Sequence, residues 1–227
     1  ASGLSLAIDG QGISLSDHQI VFGSKEADTI DGSGDTDRLY GMAGTDTLDG
    51  KAGSDYLEGG ADNDTLIGGA NDQANDVLIG GNGTDTYQFE GQWGHDSITD
   101  ADAKGSLRID NQPLGGGKPQ GKGLWASEDG KYLFAVIENA NGRKDLLVTR
   151  TGENQNSITV QDYKVGGLGL DLPGIEQGGR LPTSVEGKLE ITTNSEGYAD
   201  AYRDWSSGIA DVYEQARLYA QAGGAVI

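Results

Sequence analysis

The 227-residue chain contains no cysteine, only two histidines (His18 and His95), and 16 lysines and arginines against 36 aspartates and glutamates. Each scarcity removes a class of function. Without cysteine there is no disulfide framework and no thiolate for zinc or softer metals, although that absence alone does not fix a compartment. The shortage of cations leaves a net charge of −20 and a pI of about 4.2. A field of that sign repels phosphate backbones and anionic lipid headgroups, which argues against nucleic-acid binding and against direct membrane insertion. The sequence holds no apolar run of about 18 residues that could cross a bilayer as a helix. It also lacks G-x-S-x-G and H-E-x-x-H, so serine-triad and zinc-protease chemistry have no visible equipment and the chain is expected not to be an enzyme. The run GGGKPQGKG at 115–123 does not complete a phosphate loop, because Gly123 follows Lys122 where serine or threonine is required; it reads as a mobile hairpin loop.

Glycine, by contrast, is plentiful at 39 residues, and much of it is periodic. Between Gly23 and Thr99 an aspartate returns at Asp28, Asp37, Asp46, Asp55, Asp64, Asp76, Asp85 and Asp96, at intervals of 9, 9, 9, 9, 12, 9 and 11 residues. The frame is G-x-x-x-x-D-x-(apolar), and the apolar position is Ile30, Leu39, Leu48, Leu57, Leu66, Leu78, Tyr87 and Ile98. A glycine-led polar stretch must turn, and a three-residue stretch with one apolar centre must be a short strand. Two units then close one flattened coil of about 18 residues, so units n and n+2 stack at roughly 4.8 Å and bring their aspartates together. A disordered acidic linker would not need an apolar residue two places after every repeated aspartate. Stacked carboxylates about 5 Å apart repel even in water, and more once desolvated, so a cation is required between them. The turns offer only carboxylate and carbonyl oxygen, the ligand set of Ca²⁺ rather than of Mg²⁺ or zinc. Eight turns give at most six n/n+2 pairs, hence about four to six ions, with the count least certain at the overlong unit 68–79.

These residues resemble the repeats-in-toxin (RTX) family, the hemolysin-type calcium-binding arrays of bacterial secreted proteins, over residues 23–99. The resemblance implies a parallel β-roll with calcium between its turns and export by a type I secretion apparatus. It also implies that the eight aspartates are side-chain ligands, with carbonyls supplied by turn glycines: Gly32, Gly41, Gly44, Gly50, Gly53, Gly59, Gly68, Gly80 and Gly83. The array departs from the family pattern at Ser24, Ser33, Met42 and Lys51, where the second glycine is missing, and at Glu26, Asp35 and Asp62, where the fourth is acidic. Asp35 and Asp62 are compatible with a left-handed turn; Glu26 weakens the first site. Residues 24–100 hold 17 acidic against 3 basic side chains, a local balance of −14, so most of the excess charge belongs to the array.

The expected fold is all-β: a roll at 23–100, capped by residues 1–22 and followed by a β-rich flank at 101–177. In that flank Asp129-Gly130 and Asn141-Gly142 mark hairpin turns between strands at 124–127, 131–138 and 144–150, with further strands at 107–110 and 158–163. The central strand reads as buried on both sides. Segment 178–227 reads as a linker and an amphipathic helix over about 195–221, with a stripe of Tyr198, Tyr202, Trp205, Ile209, Val212, Ala216 and Tyr219 and a capping box at Thr193 and Glu196. That helix is a docked element, part of a secretion signal, or a lead into a further domain. The chain begins at Ala1 with neither methionine nor a signal peptide, and is expected to be the C-terminal part of a larger secreted bacterial exoprotein, such as a toxin, lipase, protease or adhesin, that folds on extracellular calcium. The alternative is an adhesin module in which 101–177 binds cell-surface glycan through Trp125 or Trp93. His95, at the variable fifth position of its repeat, reads as a solvated turn residue.

Overall fold

The computed structural model describes residues 18–174 except 122, 139–141 and 154, together with two short segments at 190–193 and 199–202. Ten strands follow the repeat: β1 (Ile20–Phe22), β2 (Thr29–Asp31), β3 (Arg38–Ala43), β4 (Thr47–Asp49), β5 (Tyr56–Ala61), β6 (Thr65–Ala70), β7 (Val77–Asn82), β8 (Asp85–Glu90), β9 (His95–Thr99) and β10 (Gly105–Ile109). They alternate between two parallel sheets, β1-β3-β5-β7-β9 and β2-β4-β6-β8-β10, which makes a parallel solenoid of about four turns. Because side chains alternate along a strand, one apolar residue per unit is enough to fix the register. Val21, Leu39, Leu57, Leu78 and Ile98 are successive partners in one sheet. Ile30, Leu48, Leu66, Tyr87 and Leu107 are partners in the other. All are buried, and from Leu39 onward all are at 0% exposure. At about 2–3 kcal/mol per buried side chain, this double row holds the coils together.

The strands run further into the turns than a three-residue reading allows. β3, β5, β6 and β7 each span six residues and take in Gly41, Gly59, Gly68 and Gly80. The ladder reaches the glycines elsewhere too: the Gly32 N–H donates to the Asp49 carbonyl at 2.7 Å and the Gly50 N–H to that of Ile67 at 2.9 Å.

Loss of the nine-residue frame does not end the solenoid at residue 100. β10 lies parallel to β8, and six further strands lead back to β9: β11 (Gln112–Pro113), β12 (Lys118–Gly121), β13 (Leu124–Ala126), β14 (Tyr132–Glu138), β15 (Lys144–Arg150) and β16 (Ser157–Val160). β16 pairs in parallel with β9, while β12 to β16 are antiparallel to one another, so one sheet passes from roll into meander without a break. Within 115–123, residues 118–121 form the edge strand of that sheet, and the Gly117 N–H donates to the Asp171 carbonyl at 2.9 Å; the segment is therefore anchored rather than a loose loop. On β14, Tyr132, Phe134 and Val136 are buried, but on the other face only Ala135 is, with Leu133 and Ile137 partly exposed. That strand is thus fully covered on one side only. Arg150 ties the meander to the last coil: its Nη1 donates to the Gly91 carbonyl at 2.9 Å, its Nη2 to Asp110 at 2.7 Å, and its guanidinium lies 4.6 Å from the Trp93 ring centroid.

By contacts the chain divides into Ala1–Leu181 and Pro182–Ile227. In the second unit β17 (Glu190–Thr193) pairs antiparallel with β18 (Ala199–Tyr202). This corrects the start of the expected helix, since 199–202 is strand and Thr193, read as a helix cap, lies in β17. β-branched Ile191, Thr192 and Thr193 favour extended backbone. Residues 203–221 of that helix, the linker at 178–183 and positions 1–17 of the expected cap lie outside the described residues. The described end of the cap, β1, is itself a coil of the roll. Among the described residues no helix is long and apolar enough to cross a membrane.

Candidate metal centre

Strand pairing stacks the turns in two columns. Turns 23–28, 41–46, 59–64 and 80–85 form one; 32–37, 50–55, 68–76 and 91–96 form the other. Within each column the aspartates make a ladder. The backbone N–H of Asp28 donates to Asp46 Oδ1 at 2.8 Å, that of Asp46 to Asp64 at 2.8 Å, and that of Asp64 to Asp85 at 2.9 Å. In the second column the donors run from Asp37 to Asp55 at 2.7 Å, Asp55 to Asp76 at 2.8 Å, and Asp76 to Asp96 at 2.8 Å. The Gln19 N–H starts this column by donating to Asp37 Oδ1 at 2.6 Å. All eight sequence-predicted aspartates are therefore brought together in six n/n+2 contacts, and all are buried. The ladders stop where the repeat stops: Asp85 pairs in register with Gly105 and Asp96 with Ile158, neither of which offers a carboxylate.

The second oxygen of each carboxylate separates the eight into two groups. Oδ2 of Asp46, Asp55, Asp64, Asp76, Asp85 and Asp96 is buried with no hydrogen-bond partner. Oδ2 of Asp28 instead accepts from the Ser24 N–H at 2.6 Å and the Ser24 hydroxyl at 2.9 Å, and Oδ2 of Asp37 accepts from the Ser33 N–H. These are the two turns in which serine replaces the second glycine. A buried carboxylate oxygen without a partner costs roughly 1–3 kcal/mol or more unless something cationic fills the place. Carbonyls stand beside three of the orphaned oxygens: a methyl placed on Gly41 would stand 2.5 Å from Asp46 Oδ2 and 2.6 Å from the Gly59 carbonyl oxygen. The same cradle recurs at Gly50, between Asp55 Oδ2 and the Gly68 carbonyl, and at Gly59, between Asp64 Oδ2 and the Gly80 carbonyl. In the first two turns Gly23 and Gly32 face the carbonyls of Gly41 and Gly50 in the same way. Gly44, Gly53 and Gly83, at φ 114°, 111° and 147°, sit directly over the carbonyls of Glu26, Asp35 and Asp62 in the turn two units earlier. Met42, Lys51 and Asp62 hold positive φ of 83°, 76° and 78°, a strain of about 1–2 kcal/mol each for a residue with a Cβ. Asp35 and Glu26 are not among the positive-φ residues, so the first two turns also differ in backbone.

Electrostatics agree with the geometry. Burial, reinforced by neighbouring carboxylates and partly offset by the ladder hydrogen bonds, pushes Asp55 up to about 8, Asp64 and Asp76 to about 7, and Asp85 to about 6. Burial and Asp76 together push Asp96 up to about 9. Asp46 is raised as well, first by burial. Without a cation Asp55 and Asp96 favour a proton at neutral pH. Among the described residues no three acidic or histidine side chains converge on one point, so a metal here would need carboxylates and backbone carbonyls together. An all-oxygen, mixed cradle of this kind fits Ca²⁺.

Residues 16–48, 40–73 and 72–98 match the RTX calcium-binding nonapeptide repeat. Residues 16–98 are RTX calcium-binding repeats. The match covers about a third of the chain, and no curated protein matches it. The RTX repeat is a non-catalytic structural domain, its partner is calcium, and it occurs in secreted proteins.

Other expected site features fall differently. Trp93 and Trp125 are 1% and 3% exposed, and Trp125 Nε1 donates to the Pro173 carbonyl at 3.0 Å, so neither offers an open platform for a sugar ring. His95 is not simply a solvated turn residue: it opens β9, its Nδ1 lies 2.8 Å from Ser157 Oγ, and burial lowers its pKa. The nine-residue frame gave no sign of two further features. The Tyr87 hydroxyl reaches the turn beside Gly80 and donates to Asp100 at 2.9 Å, closing the first column with protein groups. Asp72, in the three-residue insertion of unit 68–79, also carries a buried Oδ2 with no partner. The interval of 12 in the aspartate series was the available signal for the latter.

Proposed function

We propose that the two aspartate columns bind a file of calcium ions, about four to six in number, and that the chain is the calcium-folding module of a larger secreted bacterial protein. The orphaned Oδ2 atoms of Asp46, Asp55, Asp64, Asp76, Asp85 and Asp96, the first three set beside turn carbonyls, carry this reading. Asp28 and Asp37 are the weakest ligands of the eight, because Ser24 and Ser33 already bond their second oxygens. At low cytosolic calcium the charged columns oppose coil closure, and the chain stays open for passage through a type I secretion apparatus. Extracellular calcium then neutralises the columns, so that binding free energy becomes folding free energy. The continuous sheet from β9 through β16 gives the last coil a partner strand and caps it, which supports the meander as the place where the roll starts. In the proposed domain scheme the calcium-binding repeats of the roll span 23–100, a β flank that opens with the roll's last strand spans 101–177, and a C-terminal segment follows from 178. The test is a fusion of a fast-folding reporter to this chain, exported by a type I apparatus. Efficient export with calcium only outside the cell, falling when cytosolic calcium is raised, is the expected result; export indifferent to internal calcium contradicts the secretion role.

A further inference from the structure

The first column runs one turn further than its aspartates. Turn 100–105 stacks on turn 80–85: Gly105 is the strand partner of Asp85, the Ala101 N–H donates to the Gly81 carbonyl at 3.3 Å, and the Gly83 N–H donates to Asp102 Oδ2 at 3.4 Å. By that register the added turn carries glycine where the repeat has aspartate, and Asp100 where the repeat has glycine. Asp85, at 0% exposure, still holds a buried Oδ2 with no hydrogen-bond partner. The cradle beside it is built from different atoms. At Gly41, Gly50 and Gly59 a methyl would meet the aspartate Oδ2 of its own turn and a carbonyl of the next turn in the column. At Gly80 it would meet Asp85 Oδ2 and, in place of a carbonyl, the Tyr87 hydroxyl. Tyr87 is the one aromatic among the eight apolar repeat positions. Its hydroxyl donates to Asp100 Oδ2 at 2.9 Å, and Asp100 is fixed in turn by the N–H groups of Ala103 and Asp102, which donate to its Oδ1 at 2.6 and 3.2 Å. With its one proton committed to Asp100, the hydroxyl offers only lone pairs to the Asp85 side. Two oxygens that both accept cannot bond each other, and a cation between them satisfies both. Lys104, the cation of this turn, is directed instead to Asp102 at 2.9 Å, with 67% of its side chain exposed.

We propose that Asp85 Oδ2 and the Tyr87 hydroxyl hold a calcium ion at the C-terminal end of the first column, a position outside the six aspartate pairs, with Asp100 orienting the hydroxyl. The proposal rests on the calcium reading above. Ca²⁺ accepts neutral oxygens beside carboxylates, so a phenol oxygen can stand in for a missing turn carbonyl. Asp100 acts behind it as an outer partner, fixing the direction of the ligand's proton as carboxylates do behind other metal ligands.

Tyr87→Phe tests this, because the ring stays in the core row and only the oxygen leaves. Native mass spectrometry of the full chain, stripped with chelator and reloaded with CaCl₂, counts the bound ions. The expected result is one ion fewer in Tyr87→Phe than in the wild type, since a ligand has been removed from a single position. Tyr56→Phe, an equal change at a hydroxyl that donates to Glu58 at 2.8 Å, keeps the wild-type number. In Asp100→Asn the amide group donates to the hydroxyl and turns its proton toward Asp85, so the same ion is lost. That variant leaves the core row intact and decides the test if Tyr87→Phe folds poorly. The wild-type number of ions in both Tyr87→Phe and Asp100→Asn overturns the ligand role while leaving the calcium module intact; Tyr87 and Asp100 are then a plug. Absence of calcium binding by the wild type overturns both.

Discussion

Asp76→Asn should stabilise the chain in chelator and destabilise it in calcium. Asp76 Oδ1 accepts the Asp55 N–H at 2.8 Å, an acceptor that asparagine retains, and its Oδ2 faces Gly68 without a partner. Burial is the first cause of the rise from 3.8 to about 7. A carboxylate forced to ionise in the metal-free fold near pH 7.5 costs about 4 kcal/mol relative to the unfolded chain. Removing the charge recovers much of that cost in the absence of metal. In calcium the same change strips a charged ligand from the positions above and below turn 68–76. Urea unfolding followed by far-UV circular dichroism, in excess chelator and again in saturating CaCl₂, reads both effects as opposite shifts of the midpoint. A variant destabilised in both conditions, or unaffected by calcium, would refute the reasoning that Asp76 is an unpaired carboxylate waiting for a cation.

Three other outcomes follow from the same geometry. Asp55→Ala should raise the calcium midpoint of folding more than Asp28→Ala, since Asp55 has an orphaned oxygen between two full turns while Asp28 is already bonded by Ser24; equal shifts in a dichroism titration would contradict the stacking. Leu57→Asp should abolish the roll at every calcium concentration, because it puts an unpaired charge at a position with 0% exposure; a calcium-induced β signal of normal size in that variant would mean the core row is misassigned. The metal-free roll should weaken as pH rises from about 4 through the range of about 6 to 9, because Asp85 to Asp96 hold protons more tightly folded than unfolded, so the folded form binds more protons over that interval. Protons and calcium then compete, and acidification should raise the calcium midpoint; a midpoint that falls on acidification counts against buried carboxylate ligands.

The roll was legible because its two rules are local. An apolar residue two places after each aspartate fixes the inward face, and the spacing of about 18 residues per coil fixes which turns stack, so Leu39 finds Leu57 and Asp37 finds Asp55 without further information. What the spacing could not show was the state of each second carboxylate oxygen. Whether Asp28 is bonded by Ser24 depends on backbone direction at one residue, and no periodicity encodes it. The reach of β16 back to β9 was hidden for a similar reason. Hairpin turns announce antiparallel neighbours, but a parallel return across some sixty residues has no sequence signature. Trp93 and Trp125 looked available for a ligand because tryptophan in a polar region invites that reading; their contacts with Arg150 and Pro173 spend them on the junction and the core. The helical stripe beginning at Tyr198 met strong extended propensity at Ile191–Thr193, and 199–202 pairs with that strand.

The most direct measurement is a far-UV circular dichroism titration of the chelator-treated chain with CaCl₂, with MgCl₂ in parallel. A cooperative rise in β signal with calcium and none with magnesium is the predicted result. A chain whose signal is the same in chelator, magnesium and calcium would contradict the claim that the aspartate columns need calcium to close.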